Sequence, residues 1–137
     1  MMYMLDTNIC IYMINKKPAS YIAKLESLDK GNQLSISSIV LAELQYGVSN
    51  SQKKTQNQIN LDAFLTKLNI IPYCEQAAFY YGEIRSTLQK QGNMIGHYDL
   101  LIASHAIAED ATLVTNNASE FIRVKDLVID EWKNDNQ

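Results

Sequence analysis

The feature that most constrains the fold is an alternation of short apolar runs with longer segments of helical periodicity. Short runs typical of buried strands occupy residues 3–5, 34–37, 69–73, 112–115 and 127–129. Apolar residues recur at helical spacing over 9–14, 19–28, 39–48, 59–68, 75–91 and 99–109. Strands that alternate with helices in this way build a parallel sheet covered on both faces, so the sequence predicts an α/β fold with a five-stranded sheet.

The chain has no internal repeat and no low-complexity tract, so we expect one domain over residues 1–137. Its most polar segment, 49–58, leads into a helical pattern and is interpreted as a loop or an exposed helix start inside that domain. Ser38 is the expected N-cap of the helix over 39–48, because a serine hydroxyl accepts a hydrogen bond from a backbone N–H in the first helical turn.

Composition and charge narrow the class of protein. Hydrophobic residues make up 47% of the chain and charged residues 20%, which is typical of a folded globular domain. The net charge of −3 argues against generic coating of nucleic acid, which requires a basic domain. The apolar runs are too short for a membrane helix, and the N-terminus lacks the pattern of a signal peptide. Cys10 and Cys74 are far apart and form no CxxC, so we expect reduced thiols in the cytoplasm and no zinc site.

Polar side chains follow two of the predicted strands. Asp6 comes directly after the first strand, and Asn116 and Asn117 follow the fourth. Ligand sites of parallel sheets lie outside the carboxyl ends of the strands, so these residues are candidate ligands. Each also has a structural alternative, since Asp6 is a good helix N-cap and the two asparagines favour a turn. Glu120 lies about one helical turn further on and offers another carboxylate at the same end of the sheet.

Two further acids lie on predicted helices. Glu43 has apolar neighbours almost all the way round the helix over 39–48, which predicts a buried helix and a carboxylate that is paired or bound to a metal. A structural ion pair, or a side chain that reaches water, is the alternative. Asp99 begins the helix over 99–109 and shares its face with small apolar residues that point toward the sheet. As an acid in the first turn it would also complement the helix dipole, by ~0.3–1 kcal/mol.

Several carboxylates in one cleft repel one another, and a divalent cation is the usual remedy. Oxygen-only ligands suit Mg²⁺, with Mn²⁺ as the alternative. The sequence offers no GxGxxG, P-loop or GxSxG motif. Its two histidines, His97 and His105, lack the spacing of a zinc-binding helix. We expect His105 to pack or to face solvent, whereas His97 is close enough in the chain to act beside Asp99.

Four blocks of the sequence resemble the PIN-domain nucleases, and most closely the VapC toxins of type II toxin–antitoxin pairs. The blocks, which together extend over nearly the whole chain, are MLDTNICIY, SISSIVLAELQYGV, YGEIRSTLQKQGNMIGHYDLLIASHA and LVTNNASEFIRV. The resemblance implies a three-layer PIN fold, cleavage of RNA with Mg²⁺ or Mn²⁺, inhibition by a cognate antitoxin protein, and a homodimer. It also implies a tRNA substrate, since the relatives that the chain most resembles act on initiator tRNA.

Matched residue by residue, the resemblance puts Asp6, Glu43 and Asp99 in the acidic site of the family. Two positions depart from the family pattern. Asn117 stands where many PIN domains have a fourth Asp, with Glu120 as a candidate substitute, and His97 stands where similar proteins often have Pro.

From these residues we hypothesise that Asp6 and Asp99 bind one Mg²⁺ directly and that Glu43 binds it directly or through water. One carboxylate, Glu43 or Asp99, would accept the proton of the attacking water. Thr115 and Asn117 would orient that water or the other groups around the metal.

Basic residues outside the acidic site are candidates for holding the RNA backbone, although each is also ordinary surface charge; they are Arg85, Lys90 and Arg123. Two other functions stay open on the sequence. One is a catalytically silent PIN-like module that only binds a partner, which a metal titration would distinguish from a nuclease. The other is a small phosphatase that uses the same acids, which an assay with a phosphate monoester would reveal.

Overall fold

The computed structural model describes residues 1–133 and contains one parallel five-stranded sheet with helices around it. The strands are β1 (Met2–Leu5), β2 (Gln33–Ser37), β3 (Asn69–Ile71), β4 (Thr112–Thr115) and β5 (Ile129–Glu131). The helices are α1 (Thr7–Ile14), α2 (Ala19–Asp29), α3 (Ser38–Ser49), α4 (Lys54–Leu65), α5 (Glu75–Lys90) and α6 (His97–Ala108), followed by a 3₁₀ turn at Phe121–Arg123. The predicted α/β class is therefore confirmed.

The strand order is β3-β2-β1-β4-β5, and every neighbouring pair is parallel. From the central strand β1 the chain adds β2 and β3 on one side and then crosses over to add β4 and β5 on the other. Leu5, the last residue of β1, lies opposite Val114 of β4. The strand order thus reverses between β1 and β4, and the carboxyl ends of these two strands are where a parallel sheet offers a ligand crevice.

The two central strands are the core of the molecule. Met4 and Leu5 of β1 and Leu113 and Val114 of β4 are all buried, because helices exclude water from both faces of the sheet. Helix α6 packs against this core through a run of buried residues that includes Leu100, Ile102, Ala103 and Ala106. No helix within residues 1–133 combines the length and apolar character that crossing a membrane requires.

The cap of α3 differs from the prediction. Ser37 rather than Ser38 is the N-cap, and its Oγ accepts a hydrogen bond from the Ile39 N–H at 3.0 Å. The Ser38 hydroxyl instead accepts a hydrogen bond from the Tyr73 N–H at 3.0 Å. Two adjacent serines are equally good caps by residue type, so the choice depends on where β2 ends, and that is set by its pairing with β3.

The third and fifth strands also differ from the predicted ranges. Strand β3 ends at Ile71, because beyond it the Tyr73 N–H bonds to Ser38. Strand β5 begins two residues later than predicted, at Ile129, and its partner β4 places Leu113 opposite Ile129. Val128, which the apolar run had suggested as a buried strand residue, is 60% exposed. An edge strand needs no buried apolar pattern, so pairing decides its range.

The prediction that the helix around Glu43 is buried is wrong. In α3 only Val40 and Leu44 are buried, Tyr46 is 63% exposed, and Glu43 itself is exposed. The helix packs on the sheet and on neighbouring helices along one face, which leaves Ile39, Leu41 and Val48 partly buried and Tyr46 in solvent. Burial therefore does not force Glu43 to find a metal or an ion-pair partner.

Candidate active site

Asp6 lies at the switch point of the sheet and is held by two hydrogen bonds. It directly follows β1, is 9% exposed and is the N-cap of α1. Its Oδ1 accepts a hydrogen bond from the Thr7 N–H at 2.8 Å, and its Oδ2 accepts one from the Thr115 hydroxyl at 2.9 Å. Burial raises the pKa of Asp6, and the two hydrogen bonds oppose that rise. The capping interpretation is confirmed, and each carboxylate oxygen keeps a further lone pair for another ligand.

Asp99 lies in the first turn of α6 and faces other acids. Burial, the charge of Asp6 and the charge of Glu120 raise the pKa of Asp99 from 3.8 to about 6, in that order of importance. Like charges raise a carboxyl pKa only when they are near, so the value reflects the convergence of three chain segments. A divalent cation among these groups would reverse the repulsion that favours protonated Asp99.

Glu120 completes this acidic group from the loop after β4. Its Oε1 accepts a hydrogen bond from the Gly96 N–H at 2.8 Å, which anchors the carboxylate at the N-terminus of α6. A hydrogen bond between Glu120 and protonated Asp99 contributes to the raised pKa of Asp99. The sequence had offered Glu120 as a further carboxylate at this end of the sheet and as a substitute for a missing acid, and the structure brings it against Asp99.

Glu43 lies on α3, and its charge acts on Tyr98 beside the acidic group. The Tyr98 hydroxyl is hydrogen-bonded to the Thr7 hydroxyl. Burial raises the pKa of Tyr98, and the charges of Asp6 and Glu43 raise it further. Tyr98 therefore lies near both carboxylates and joins α1 and α6 at this point. Sequence reasoning missed Tyr98 and Thr7, although each is adjacent in the chain to a predicted acid.

Thr115 and Asn117 support Asp6 from the end of β4. Thr115 is buried, and its hydroxyl donates to Asp6 while it accepts a hydrogen bond from the Asn117 N–H at 3.1 Å. The Asn117 side chain is engaged elsewhere, since its Oδ1 accepts hydrogen bonds from the Ser119 N–H at 3.3 Å and the Ser119 hydroxyl at 2.8 Å. Asn117 thus forms the turn that was its structural alternative. It contacts Thr115, the residue that supports Asp6, through its backbone N–H and not through its side-chain amide.

The spacing of the acids limits how they can bind one ion. No three of these acids have ligand atoms that all lie within 4.8 Å of one another. Within residues 1–133 that spacing is met by one group of three His, Cys, Asp or Glu side chains, which lies elsewhere. Direct ligands of one Mg²⁺, at ~2.1 Å each, lie at most about 4.2 Å apart. In this arrangement at most two of these carboxylates are close enough to bind one ion directly, so any others would have to act through water. That number is typical of Mg²⁺, which usually keeps several of its waters.

The predicted RNA-binding cations lie on the surface, and some already have partners. The Arg85 guanidinium donates to the Tyr81 hydroxyl at 3.3 Å, and that hydroxyl is also 3.3 Å from Nδ1 of His97. Arg123 donates to the Met94 carbonyl at 2.8 Å and so fixes the loop before α6. Lys90 is in the last turn of α5, where it complements the helix dipole.

Comparison with known protein families identifies the fold. The sequence profile of the PIN domain matches residues 3–127. The chain is 61% identical to Ribonuclease VapC2 of Rickettsia felis over 132 residues, which cover 96% of this chain and 98% of that protein. It is 40% identical to the tRNA(fMet)-specific endonuclease VapC of Shigella flexneri over 130 residues, which cover 95% of this chain and 97% of that one.

Solved structures agree with this assignment. The crystal structure of VapBC2 from Rickettsia felis bound to a DNA fragment from their promoter contains a chain with a TM-score of 0.93 and 60% identity. The match covers 97% of this chain and 100% of that one. DNA-bound VapBC from Salmonella typhimurium contains one with a TM-score of 0.89 and 36% identity, covering 96% and 98%. Profile, sequence and structure agree, and the chain belongs to the PIN-domain family of metal-dependent ribonucleases, with the VapC proteins as its relatives.

Proposed function

We propose that this protein is a Mg²⁺-dependent endoribonuclease that acts as the toxin of a type II toxin–antitoxin pair. The observation that carries the proposal is that Asp6, Asp99 and Glu120 lie close together at the switch point of the sheet, so that the charges of Asp6 and Glu120 raise the pKa of Asp99. A structural role does not require acids from three segments to face one another, whereas a cation site does.

The donor set fits a hard divalent cation, Mg²⁺ or Mn²⁺, because it consists of carboxylate oxygens. We assign direct ligation to Asp6 and Asp99, and contacts through water to Glu43 and Glu120. When bound, such an ion lowers the pKa of a water molecule and offsets negative charge on a phosphate.

The protein's own groups have separate roles in this proposal. Thr115 and the Thr7 N–H fix both oxygens of Asp6, so that its carboxylate is oriented before substrate binds. Glu43 is exposed and does not bind the ion directly in this proposal. It is therefore a better candidate than Asp99 for accepting the proton of the attacking water. Tyr98 lies near both Glu43 and Asp6, and its hydrogen bond to Thr7 positions the start of α6 against α1.

We propose a tRNA as the substrate, and initiator tRNA in particular. The support is the 40% identity, over nearly the full length of both chains, to a relative named for its action on tRNA(fMet). Arg85 and Lys90 would contact the phosphate backbone, while the overall charge of −3 leaves recognition to a few cations and the bound metal.

An antitoxin is the proposed partner, because the solved relatives are complexes of this kind. Tyr46 of α3 and Ile59 of α4 are 63% and 56% exposed and offer apolar surface to such a protein. We place the enzyme in the cytoplasm, where tRNA is present and where Cys10 and Cys74 would stay reduced. We treat residues 1–137 as one domain, since the core cluster extends from Met4 to Trp132.

The test is to incubate metal-free protein with initiator tRNA, an elongator tRNA and a phosphate monoester, each with and without Mg²⁺, and to map the ends of cleaved RNA. We expect a single main cut in initiator tRNA that requires Mg²⁺. Exposed Asp29→Asn is the matched control for loss of an acid. Metal binding without RNA cleavage would identify a silent binding module, and hydrolysis of the monoester alone would identify a phosphatase.

A further inference from the structure

A second cluster of metal-binding side chains lies at the opposite end of α6 from Asp99. Cys74 immediately precedes α5, and His105 and Glu109 lie one turn apart at the end of α6. Glu109 Oε1 is 3.7 Å from His105 Nε2 and 3.9 Å from Cys74 Sγ. The three ligand atoms all lie within 4.8 Å of one another, a spacing found for no other such group in the described part of the chain.

His105 is the residue whose surroundings favour a ligand. Its side chain is 0% exposed, and Nδ1 is hydrogen-bonded to the Ser37 hydroxyl at 2.7 Å. Nε2 is buried and makes no hydrogen bond of good geometry within residues 1–133; Glu109 Oε1 lies 3.7 Å from it, and the Pro72 backbone also interacts with the ring. The ring is also held edge-to-face by Tyr73, at 5.2 Å between ring centroids. An oriented, buried imidazole with one nitrogen fixed and the other open is the arrangement of a histidine metal ligand.

We propose that Cys74 Sγ, His105 Nε2 and Glu109 Oε1 form a zinc site. Tetrahedral bonds of ~2.3 Å to sulfur and ~2.1 Å to nitrogen and oxygen place the N···O and S···O pairs roughly 3.4 and 3.6 Å apart. The observed distances exceed these by a few tenths of an ångström, which small side-chain rotations can close. A water molecule would fill the fourth position, since Cys74 and Glu109 are only half-buried.

The ligand types separate this site from the acidic one. A thiolate and an imidazole favour Zn²⁺ over Mg²⁺, whereas the acids around Asp99 offer only oxygen. His105 follows Asp99 by six residues, or about 9 Å along the helix axis. The sequence predicted no zinc site because its two cysteines are remote from each other, but this site needs only one of them. Bound zinc would fasten the start of α5 to the end of α6, the helix that carries Asp99.

The direct test uses the full chain, freed of metal and kept in excess Mg²⁺ so that the acidic site is occupied. Co²⁺ serves as the spectroscopic probe, because a cobalt–thiolate bond gives a near-ultraviolet charge-transfer band, and Zn²⁺ should displace it. We expect one equivalent to bind, a higher melting temperature with Zn²⁺, and protection of Cys74 from iodoacetamide, read by mass spectrometry on the unaltered protein.

Variants identify the ligands. Cys74→Ser should remove the charge-transfer band, and Glu109→Gln should weaken Co²⁺ binding by at least about tenfold, since even groups that only support a ligand contribute that much. Glu75→Gln, at an exposed acid adjacent to Cys74, is the matched control and should bind as the unaltered chain does. The proposal is overturned if the unaltered chain shows no band, if the band persists in Cys74→Ser, or if Zn²⁺ leaves Cys74 as reactive as before. The protection assay uses the unaltered chain, so it decides the question even where a variant fails to fold.

Discussion

At the scale of single residues, Asp99 concentrates the electrostatic repulsion of the acidic site. Its carboxyl group is half-buried and faces Asp6 and Glu120, and its pKa rises to about 6 for these reasons. The folded protein without metal therefore holds a carboxylate that would be more stable protonated or in water. The repulsion among these carboxylates destabilises the metal-free site, and the same concentration of negative charge favours binding of a cation.

Replacing Asp99 with Asn should separate activity from stability. We expect Asp99→Asn to lower RNA cleavage by more than about 100-fold, because a metal ligand is lost. The metal-free variant should be more stable at pH 7 by roughly 1 kcal/mol, a figure reduced from the pKa shift because solvent screens a half-buried group. Cleavage assays and urea denaturation check the two effects, with Asp29→Asn as the control. A variant that is both active and unchanged in stability would contradict the role given to Asp99.

The pKa of Asp99 also predicts a pH dependence. The folded pKa lies above the unfolded value of 3.8, so the folded state binds the proton more tightly, and the stability of metal-free protein should fall as pH rises from about 4 to about 6. Mg²⁺ requires the deprotonated carboxylate, so its affinity should fall about tenfold per pH unit below pH 6. Calorimetric titrations at several pH values measure this; in Asp99→Asn the remaining affinity should lose that dependence.

Thr115 offers a test of orientation rather than ligation. Thr115→Val keeps the shape of the side chain but removes the hydroxyl that donates to Asp6 at 2.9 Å. We expect Mg²⁺ affinity to fall by about 10-fold to 100-fold, on the order found for residues that orient a metal ligand. Thr112→Val, in the same strand but at its opposite end, is the control. Equal affinities in the two variants would show that Asp6 needs no such support.

At the scale of elements, the sequence predicts the extent of long periodic segments well but predicts the exact ends of helices and strands poorly. Helix α5 was predicted over 75–91 and spans Glu75–Lys90, because its amphipathic pattern is strong enough to define it. Strand β5 was misplaced because an edge strand takes its range from hydrogen bonding to β4, which local composition does not record. The burial of α3 was overestimated because periodicity gives the apolar face of a helix but not what covers it.

The two serines at the start of α3 give a prediction about element ends. Ser37→Ala removes the helix cap and a buried hydrogen bond to Nδ1 of His105, and should lower the free energy of unfolding by about 2–3 kcal/mol. Ser38→Ala removes only the acceptor for the Tyr73 N–H and should cost about 1 kcal/mol. Urea denaturation of the pair measures the difference, and a larger loss for Ser38→Ala would restore the cap predicted from the sequence.

At the scale of the whole molecule, the active site is a product of topology. Asp6, Asp99 and Glu120 are separated by many residues, yet the reversal of strand order between β1 and β4 brings their segments together. The sequence indicated this convergence because acids followed predicted strands or faced inward on a helix. The turn at Asn117 was offered by the sequence, because it depends on the local contact with Ser119. The sequence did not indicate that Tyr98 lies near both Asp6 and Glu43, because that depends on contacts between segments remote in the chain.

The central claim is that the acids at this switch point hold one divalent cation. Mn²⁺ can take the place of Mg²⁺ in such oxygen-ligand sites and can be located by its anomalous scattering in a crystal. We expect one strong anomalous peak between the carboxylates of Asp6 and Asp99, with Glu43 and Glu120 reached through water. A Mn²⁺-soaked crystal with no peak at that position, while its RNA substrate is still cleaved in the same buffer, would contradict the account.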